Sequence, residues 1–170
     1  MSNIIIRPAT LFDLEHIRRI YNQGIEEEAP NVEMKLKTTE EMKQWFDSHD
    51  ERFQVFVMIV DNRIIGWAAI NQYSVRDAYQ GIGEISIYFD RFARGKGYGV
   101  KLLNAVENHA REHDFHKLVL FMLTKNKHGQ KLYEKLGFHP VGIFKKQGLV
   151  HGEYVDIMAM EKLLIEEEND

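Results

Sequence analysis

Three glycines at alternate positions stand in the run Arg94-Gly95-Lys96-Gly97-Tyr98-Gly99. Glycine lets a turn close with its N–H groups facing outward. The apolar positions that follow, Leu102, Leu103, Val106 and Ala110, fall on one face of a helix ending near Asp114. A helix N-terminus carries partial positive charge, so a glycine turn that opens into one suits a pyrophosphate, with Arg94 and Lys96 adding charge at the rim. A turn that only joins strand to helix is the plainer reading of the same residues. Two other phosphate motifs do not fit. There is no Gly-x-x-x-x-Gly-Lys-Ser/Thr, and the spacing of Gly95, Gly97 and Gly99 is not Gly-x-Gly-x-x-Gly. The apolar run Leu118 to Thr124 also ends on no acidic residue to bind a ribose hydroxyl.

Other constellations carry less. His109-Ala110-Arg111-Glu112-His113 matches an inverted zinc-protease pattern. It falls at the end of a helix, where histidines pair with the dipole, about 20 Å from the glycine turn at 1.5 Å per residue. No metal site is expected. There is no Gly-x-Ser-x-Gly elbow for serine hydrolysis, and with no cysteine neither disulfides nor thiolate chemistry is available. A net charge of -4, with basic residues dispersed among acidic ones, gives no attraction to nucleic acid or anionic lipid. Apolar stretches such as Val55 to Val60 fall far short of the roughly 20 residues that span a bilayer. The first residues lack a signal-peptide pattern, so a cytoplasmic protein is expected.

The elements that must position the glycine turn follow from hydrophobic spacing. Ile4-Ile5-Ile6 reads as a first strand closed by Pro8. Thr10 with Asp13 opens a helix carrying Leu11, Leu14, Ile17, Ile20 or Tyr21, and Ile25 at helical spacing, and Thr38 to Phe46 forms a second. The irregular stretch Glu28 to Asn31 between them is expected to be a substrate-side loop. Phe53 to Val60 and Ile64 to Tyr73 form a hairpin about Asp61-Asn62-Arg63, and Gly83 to Asp90 is the strand before the glycine turn. Lys117 to Thr124 is a strand, Lys127 to Leu136 a helix stopped by Gly137, and Phe138 to Phe144 and Tyr154 to Met160 are two closing strands. The order β-α-α-β-β-β-α-β-α-β-β predicts a single α/β domain over residues 1–170 with a part-parallel, part-antiparallel sheet. Residues 166–170 read as a frayed acidic tail.

Arg94, Gly97 and Gly99, standing as Arg/Gln-x-x-Gly-x-Gly between strand and helix, together with this element order, resemble the acetyl-coenzyme A motif of the GNAT N-acetyltransferase superfamily. Asn126, Leu132-Tyr133 and Leu136-Gly137-Phe138 stand where that family places them. Within it the chain is similar to the phosphinothricin and methionine sulfone/sulfoximine acetyltransferase group, through Ile20-Tyr21-Asn22, Trp45-Phe46, Glu84 to Tyr88, and Gly148-x-x-His151-Gly152 with Asp156. The resemblance implies acetyl-coenzyme A as acetyl donor and a small-molecule amine as acceptor. It implies that backbone groups of Ile87, Tyr88 and Phe89 pair with pantetheine. It also implies that Gly95, Lys96, Gly97, Tyr98, Gly99 and Val100 hold the pyrophosphate and that Asn126 touches the donor. A homodimer follows from the family alone.

An amine attacks a thioester only when neutral, so an ammonium substrate needs a proton acceptor. Glu84 matches the glutamate that serves this group; otherwise it is an ordinary strand-end carboxylate. Expulsion of the thiolate favours a proton donor near sulfur, and Tyr133 matches the family's tyrosine, although Leu132, Tyr133 and Leu136 also form a packing stripe. A strand N–H of Ile87, Tyr88 or Phe89 is expected to stabilise the oxyanion. Tyr73, Ser74, Arg76, Glu84 and Ser86 are the expected acceptor-binding residues. Ser74 stands where relatives carry arginine, and Arg76 offers a bidentate grip on a carboxylate or phosphinate, or else is a solvated loop residue. Val150 replaces a usual lysine before His151. An acetyltransferase for protein or polyamine amines, and a non-catalytic acyl-coenzyme A binding domain, remain the alternatives.

Overall fold

A computed structural model describes residues 2–27 and 32–166. Seven strands form one mixed sheet in the order β1-β2-β3-β4-β5-β7-β6. β1 (Ile4–Pro8), β2 (Val55–Val60), β3 (Arg63–Gln72) and β4 (Ile82–Phe89) run antiparallel in succession. β5 (Lys117–Leu123) lies parallel to β4, and the hairpin of β6 (His139–Val150) and β7 (Glu153–Leu163) completes the sheet with β7 against β5. The expected mixed α/β fold and element order are found. The β2–β3 turn forms as its residues dictate: Asp61 at φ 49° and Asn62 at φ 67° take the left-handed conformations that a tight hairpin requires.

Strand alternation sorts the core onto two faces. On one, α1 (Leu14–Glu26) and α2 (Thr39–Asp47) bury Leu14, Ile17, Ile20 and Met42 against Val55, Val57, Trp67 and Ala69. On the other, α3 (Tyr98–Glu112) buries Leu102, Leu103, Val106 and Ala110 against Met58, Ala68, Ile70, Leu118 and Leu120. α4 (Lys127–Lys135) adds Leu132 and Tyr133 at the edge of that second core. Each fully buried aliphatic side chain contributes about 1.5–3 kcal/mol, so both faces hold the sheet firmly.

One break in the sheet matters for function. The β4–β5 ladder covers Ile82, Gly83 and Glu84, paired with Lys117, Leu118 and Val119. Beyond Glu84, β4 continues to Phe89 on β3, while β5 continues to Leu123 on β7. The two strands part at Glu84 and leave a wedge between them.

The closing strands run longer than hydrophobic spacing indicates. The polar run Lys145-Lys146-Gln147 stays in β6 through a register irregularity between Phe144 and Gly148, with Lys146 at φ 50° and its N–H donating to Asp156 Oδ1 at 2.7 Å. The turn falls at His151-Gly152, both at positive φ. The expected substrate-side loop at Glu28 to Asn31 and the tail beyond Glu166 lie outside the described residues.

Candidate active site

The end of β4 is fixed before the glycine turn begins. Asp90 is buried, accepts from Arg19 Nη1 at 2.5 Å and from the Phe92 N–H at 3.0 Å, and lies 3.4 Å from Gln23 Nε2. Gln23 Oε1 accepts from the Arg91 N–H at 3.0 Å. Burial alone would raise the Asp90 pKa, but the hydrogen bonds from Arg19, Phe92 and Gln23 outweigh it and hold the carboxyl below its usual range. Helix α1 thereby anchors the exit of β4. Sequence spacing does not reveal this, because Arg19 and Gln23 sit on a polar helix face.

The glycine turn follows. Gly95 and Gly97 have φ of 77° and 80°, which only glycine adopts without strain, and no atom lies within 4 Å of the place where a Cβ would stand on either. Gly97 is the N-cap of α3, so the turn presents open backbone at the positive end of a 15-residue helix. Gly99 brings α3 close to α4: a Cβ there would lie 2.9 Å from Leu132 Cδ2 and push that side chain aside. Arg94 Nε donates to the Phe89 carbonyl at 3.3 Å, and its guanidinium pairs with Glu27, which also holds Arg91 at 3.1 Å. Lys96 is exposed at the turn's tip, and Tyr98 and Val100 are half-buried in the first turn of α3. An open, glycine-lined helix start fits the diphosphate of acetyl-coenzyme A.

The wedge between β4 and β5 is a cavity of about 590 Å³ that brings together Glu84, Ser86, Ile87, Tyr88, Asn126 and Tyr133. Glu84 stands at the parting of the strands, and burial raises its carboxyl above the usual range. Tyr133 faces the same cavity from α4 and packs edge-on to Phe138; burial, followed by the proximity of Tyr88, raises its phenol pKa and keeps it protonated. Asn126 caps α4, its Oδ1 accepting from the Gly129 N–H at 3.0 Å. Phe89 sits at the end of β4 opposite Gly66 and does not line this cavity.

An adjoining cavity of about 480 Å³ lies under α2, lined by Tyr21, Met42, Trp45, Trp67 and Ser86 with Glu33, Lys37 and Glu41. Tyr21 and Ser86 border both cavities. Tyr21 stands edge-on to Trp67 and to Tyr88, which is stacked on Trp67 at 5.0 Å. The helical spacing of α1 marks Ile17 and Ile20 as core but does not distinguish Tyr21 as cavity-lining.

The expected acceptor-binding residues divide. Glu84 and Ser86 line the wedge, whereas Tyr73, Ser74 and Arg76 lie on the β3–β4 connection and line neither cavity. That connection is tied by Gln80 Nε2, which donates to the Ser74 and Arg76 carbonyls at 2.9 Å each. The rings of His109 and His113 stack at 3.8 Å, with His109 Nε2 2.9 Å from the Glu51 carbonyl and His113 Nδ1 2.8 Å from the His109 carbonyl. Among the described residues no group of three or more His, Cys, Asp or Glu side chains is placed to hold a metal, and no helix is long and apolar enough to cross a membrane.

Comparison with known proteins gives concordant findings. The family described as Acetyltransferase (GNAT) domain matches residues 6–159. YwnH of Bacillus subtilis (strain 168) is 31% identical over 160 residues, covering 94% of this chain and 98% of that one. An L-methionine sulfoximine/L-methionine sulfone acetyltransferase of Pseudomonas aeruginosa is 27% identical, covering 92% of each chain. A crystal structure of a GNAT superfamily phosphinothricin acetyltransferase from Sinorhizobium meliloti in complex with AcCoA superposes with a TM-score of 0.89 at 26% identity, covering 94% of this chain and 88% of that one.

Proposed function

Because the chain belongs to the GNAT acetyltransferase family and is an acetyl-coenzyme A-dependent N-acetyltransferase, we propose that its acceptor is the primary amine of a small amino-acid-like molecule of the phosphinothricin, methionine sulfone or methionine sulfoximine type. The observation that carries the acceptor class is the similarity over most of the chain to acetyltransferases named for phosphinothricin and for methionine sulfoximine and sulfone; the chemistry is supported by Glu84 and Tyr133 lining one cavity, the carboxyl with a raised pKa and the phenol held protonated. Acetyl-coenzyme A supplies the activated acyl group. In our reading the backbone of Gly95 to Val100, with Arg94 and Lys96, holds its diphosphate, while Ile87, Tyr88, Phe89 and Asn126 line the path of the pantetheine arm.

Glu84 then takes the proton from the ammonium form of the acceptor, directly or through a water, and frees its lone pair for attack. A raised pKa suits this task, because a base works best when its pKa is nearer the operating pH than that of an ordinary carboxylate. A β4 N–H among Ile87, Tyr88 and Phe89, beyond Glu84 where the β4–β5 ladder ends, is suited to bind the developing oxyanion. Tyr133 gives its proton to the departing sulfur. Ser86 meets the acceptor inside the wedge. With Tyr73 and Ser74 beside it, Arg76 reaches a carboxylate only if the acceptor extends past the cavity mouth towards the β3–β4 connection.

We further propose a cytoplasmic homodimer that binds neither nucleic acid nor membrane. Edge strand β6 supports the pairing, since Val141, Ile143, Phe144 and Leu149 all stand exposed on it. Light scattering on the eluting protein checks that state. The acceptor is tested by thiol release from acetyl-coenzyme A with phosphinothricin, methionine sulfone, methionine sulfoximine, polyamines and peptides. Turnover concentrated on the first three is expected; turnover confined to polyamines or peptides, or none at all, overturns the proposal.

A further inference from the structure

A chain of hydrogen bonds runs from the end of α2 into the site. His49 stands two residues beyond the end of α2, with Nδ1 2.8 Å from the Trp45 carbonyl oxygen and Nε2 2.8 Å from Asn71 Oδ1. Asn71 Nδ2 donates to Ser86 Oγ at 2.9 Å and to the Glu84 carbonyl oxygen at 3.1 Å. The orientation of each group is set by what its neighbours can do. The Glu84 carbonyl only accepts, so the NH2 of Asn71 faces β4 and its oxygen faces His49. The Trp45 carbonyl also only accepts, so both ring nitrogens of His49 face acceptors.

Sheet register places this chain against the chemistry. Asn71 and Glu84 are cross-strand partners, so their side chains share a face, and Ser86, two residues on, shares it as well. That is the face covered by α1 and α2, and Ser86 borders both cavities there. Because Ser86 Oγ receives a hydrogen from Asn71, its own O–H is left to donate. A hydroxyl fixed in this way is a directed donor beside the proposed base.

We propose that Asn71 and His49 are positioning residues for acetyl transfer. They hold the Ser86 hydroxyl so that it donates to an oxygen of the bound acceptor, and Ser86 thereby selects amines that carry a carboxylate, phosphinate or sulfone oxygen. This rests on the function proposed above. It accounts for an asparagine on a strand face whose neighbouring positions, Trp67 and Ala69, are apolar and buried. It also supplies an oxygen-recognising donor within a wedge that Arg76 does not line.

The test is steady-state kinetics with phosphinothricin or L-methionine sulfone, whichever the wild type turns over faster. Asn71→Ala is expected to raise the acceptor KM about tenfold, the usual consequence of losing one hydrogen bond to a charged group, while the acetyl-coenzyme A KM stays within roughly twofold. Ser86→Ala is expected to do the same, and the double variant to be no worse than either single one, since all three break one chain. His49→Gln, which retains an N–H for Asn71, is expected to recover much of the loss seen in His49→Ala. An unchanged acceptor KM in Ser86→Ala, or effects that multiply in the double variant, overturns the inference even if Asn71→Ala fails to fold. A wild type inactive on phosphinothricin, methionine sulfone and methionine sulfoximine alike instead overturns the proposed function, so the two failures are distinguishable.

Discussion

Replacing Glu84 with glutamine keeps the shape of the side chain and removes its ability to take a proton. An aliphatic amine with a pKa of about 9 is only about 1% neutral at pH 7. If Glu84 is the group that accepts the ammonium proton, its loss leaves the reaction waiting on that neutral fraction, and kcat/KM at pH 7 falls about 100-fold. The deficit then shrinks about tenfold per pH unit as the pH approaches 9, because solvent delivers the free amine. Initial rates of thiol release, measured for both proteins from about pH 6 to about pH 9.5 at saturating acetyl-coenzyme A, read this directly. A second readout comes from stability. Burial raises the Glu84 carboxyl above its unfolded value. Its contribution to stability is therefore present below the ordinary glutamate pKa and lost as pH rises through the raised one. At neutral pH the charged group opposes folding, so Glu84→Gln is expected to melt above the wild type near pH 7.5, with the advantage vanishing in acid. A rate deficit that stays constant across the pH range refutes the base role, and a variant that melts no higher near pH 7.5 refutes the burial argument.

Gly97→Val places a side chain on backbone at φ 80°, where strain is about 1–2 kcal/mol, and crowds the proposed diphosphate cradle; the acetyl-coenzyme A KM is expected to rise at least about tenfold, and a flat value contradicts the placement. Glu27→Gln releases Arg94 and Arg91 from a solvent-exposed pairing of about 0.2–1 kcal/mol, so calorimetry is expected to show acetyl-coenzyme A binding about two- to fivefold tighter. Asp90→Ala removes a buried carboxylate that joins α1 to the end of β4 and is expected to lose about 2–4 kcal/mol in denaturant titration. The folded pKa of Asp90 is depressed, so its stabilisation is present above the ordinary aspartate range and lost as pH falls through the folded value; the gap between wild type and variant should close in acid.

The two-faced sheet and the order of its elements are legible in the sequence because periodicity reports burial directly. Leu102, Leu103, Val106 and Ala110 bury one stripe of α3, and Asp61-Asn62 make the turn their left-handed tolerance allows. The glycine turn is legible for the same reason, since φ near 80° at Gly95 and Gly97 demands the residue type found there. Less legible is whatever depends on pairing across the chain. Arg19 and Asp90 are 71 positions apart, and His49, Asn71 and Ser86 lie after α2, in β3 and in β4, so no local pattern marks them. Hydrophobic spacing ends the strand at Phe144 because Lys145 to Gln147 are polar, yet β6 runs on through them, with Asp156 accepting from the Lys146 N–H and the Lys145 ammonium. Arg76 has the right chemistry for a carboxylate, but its distance from the wedge depends on the course of the β3–β4 connection, which composition does not encode.

The most direct measurement is a crystal structure of the protein with acetyl-coenzyme A. The diphosphate should lie on the backbone N–H groups of the Gly95 to Val100 stretch, and the thioester should enter the wedge where β4 leaves β5, within reach of Glu84 and Tyr133. A nucleotide bound elsewhere, or a thioester pointing away from Glu84, would contradict the account.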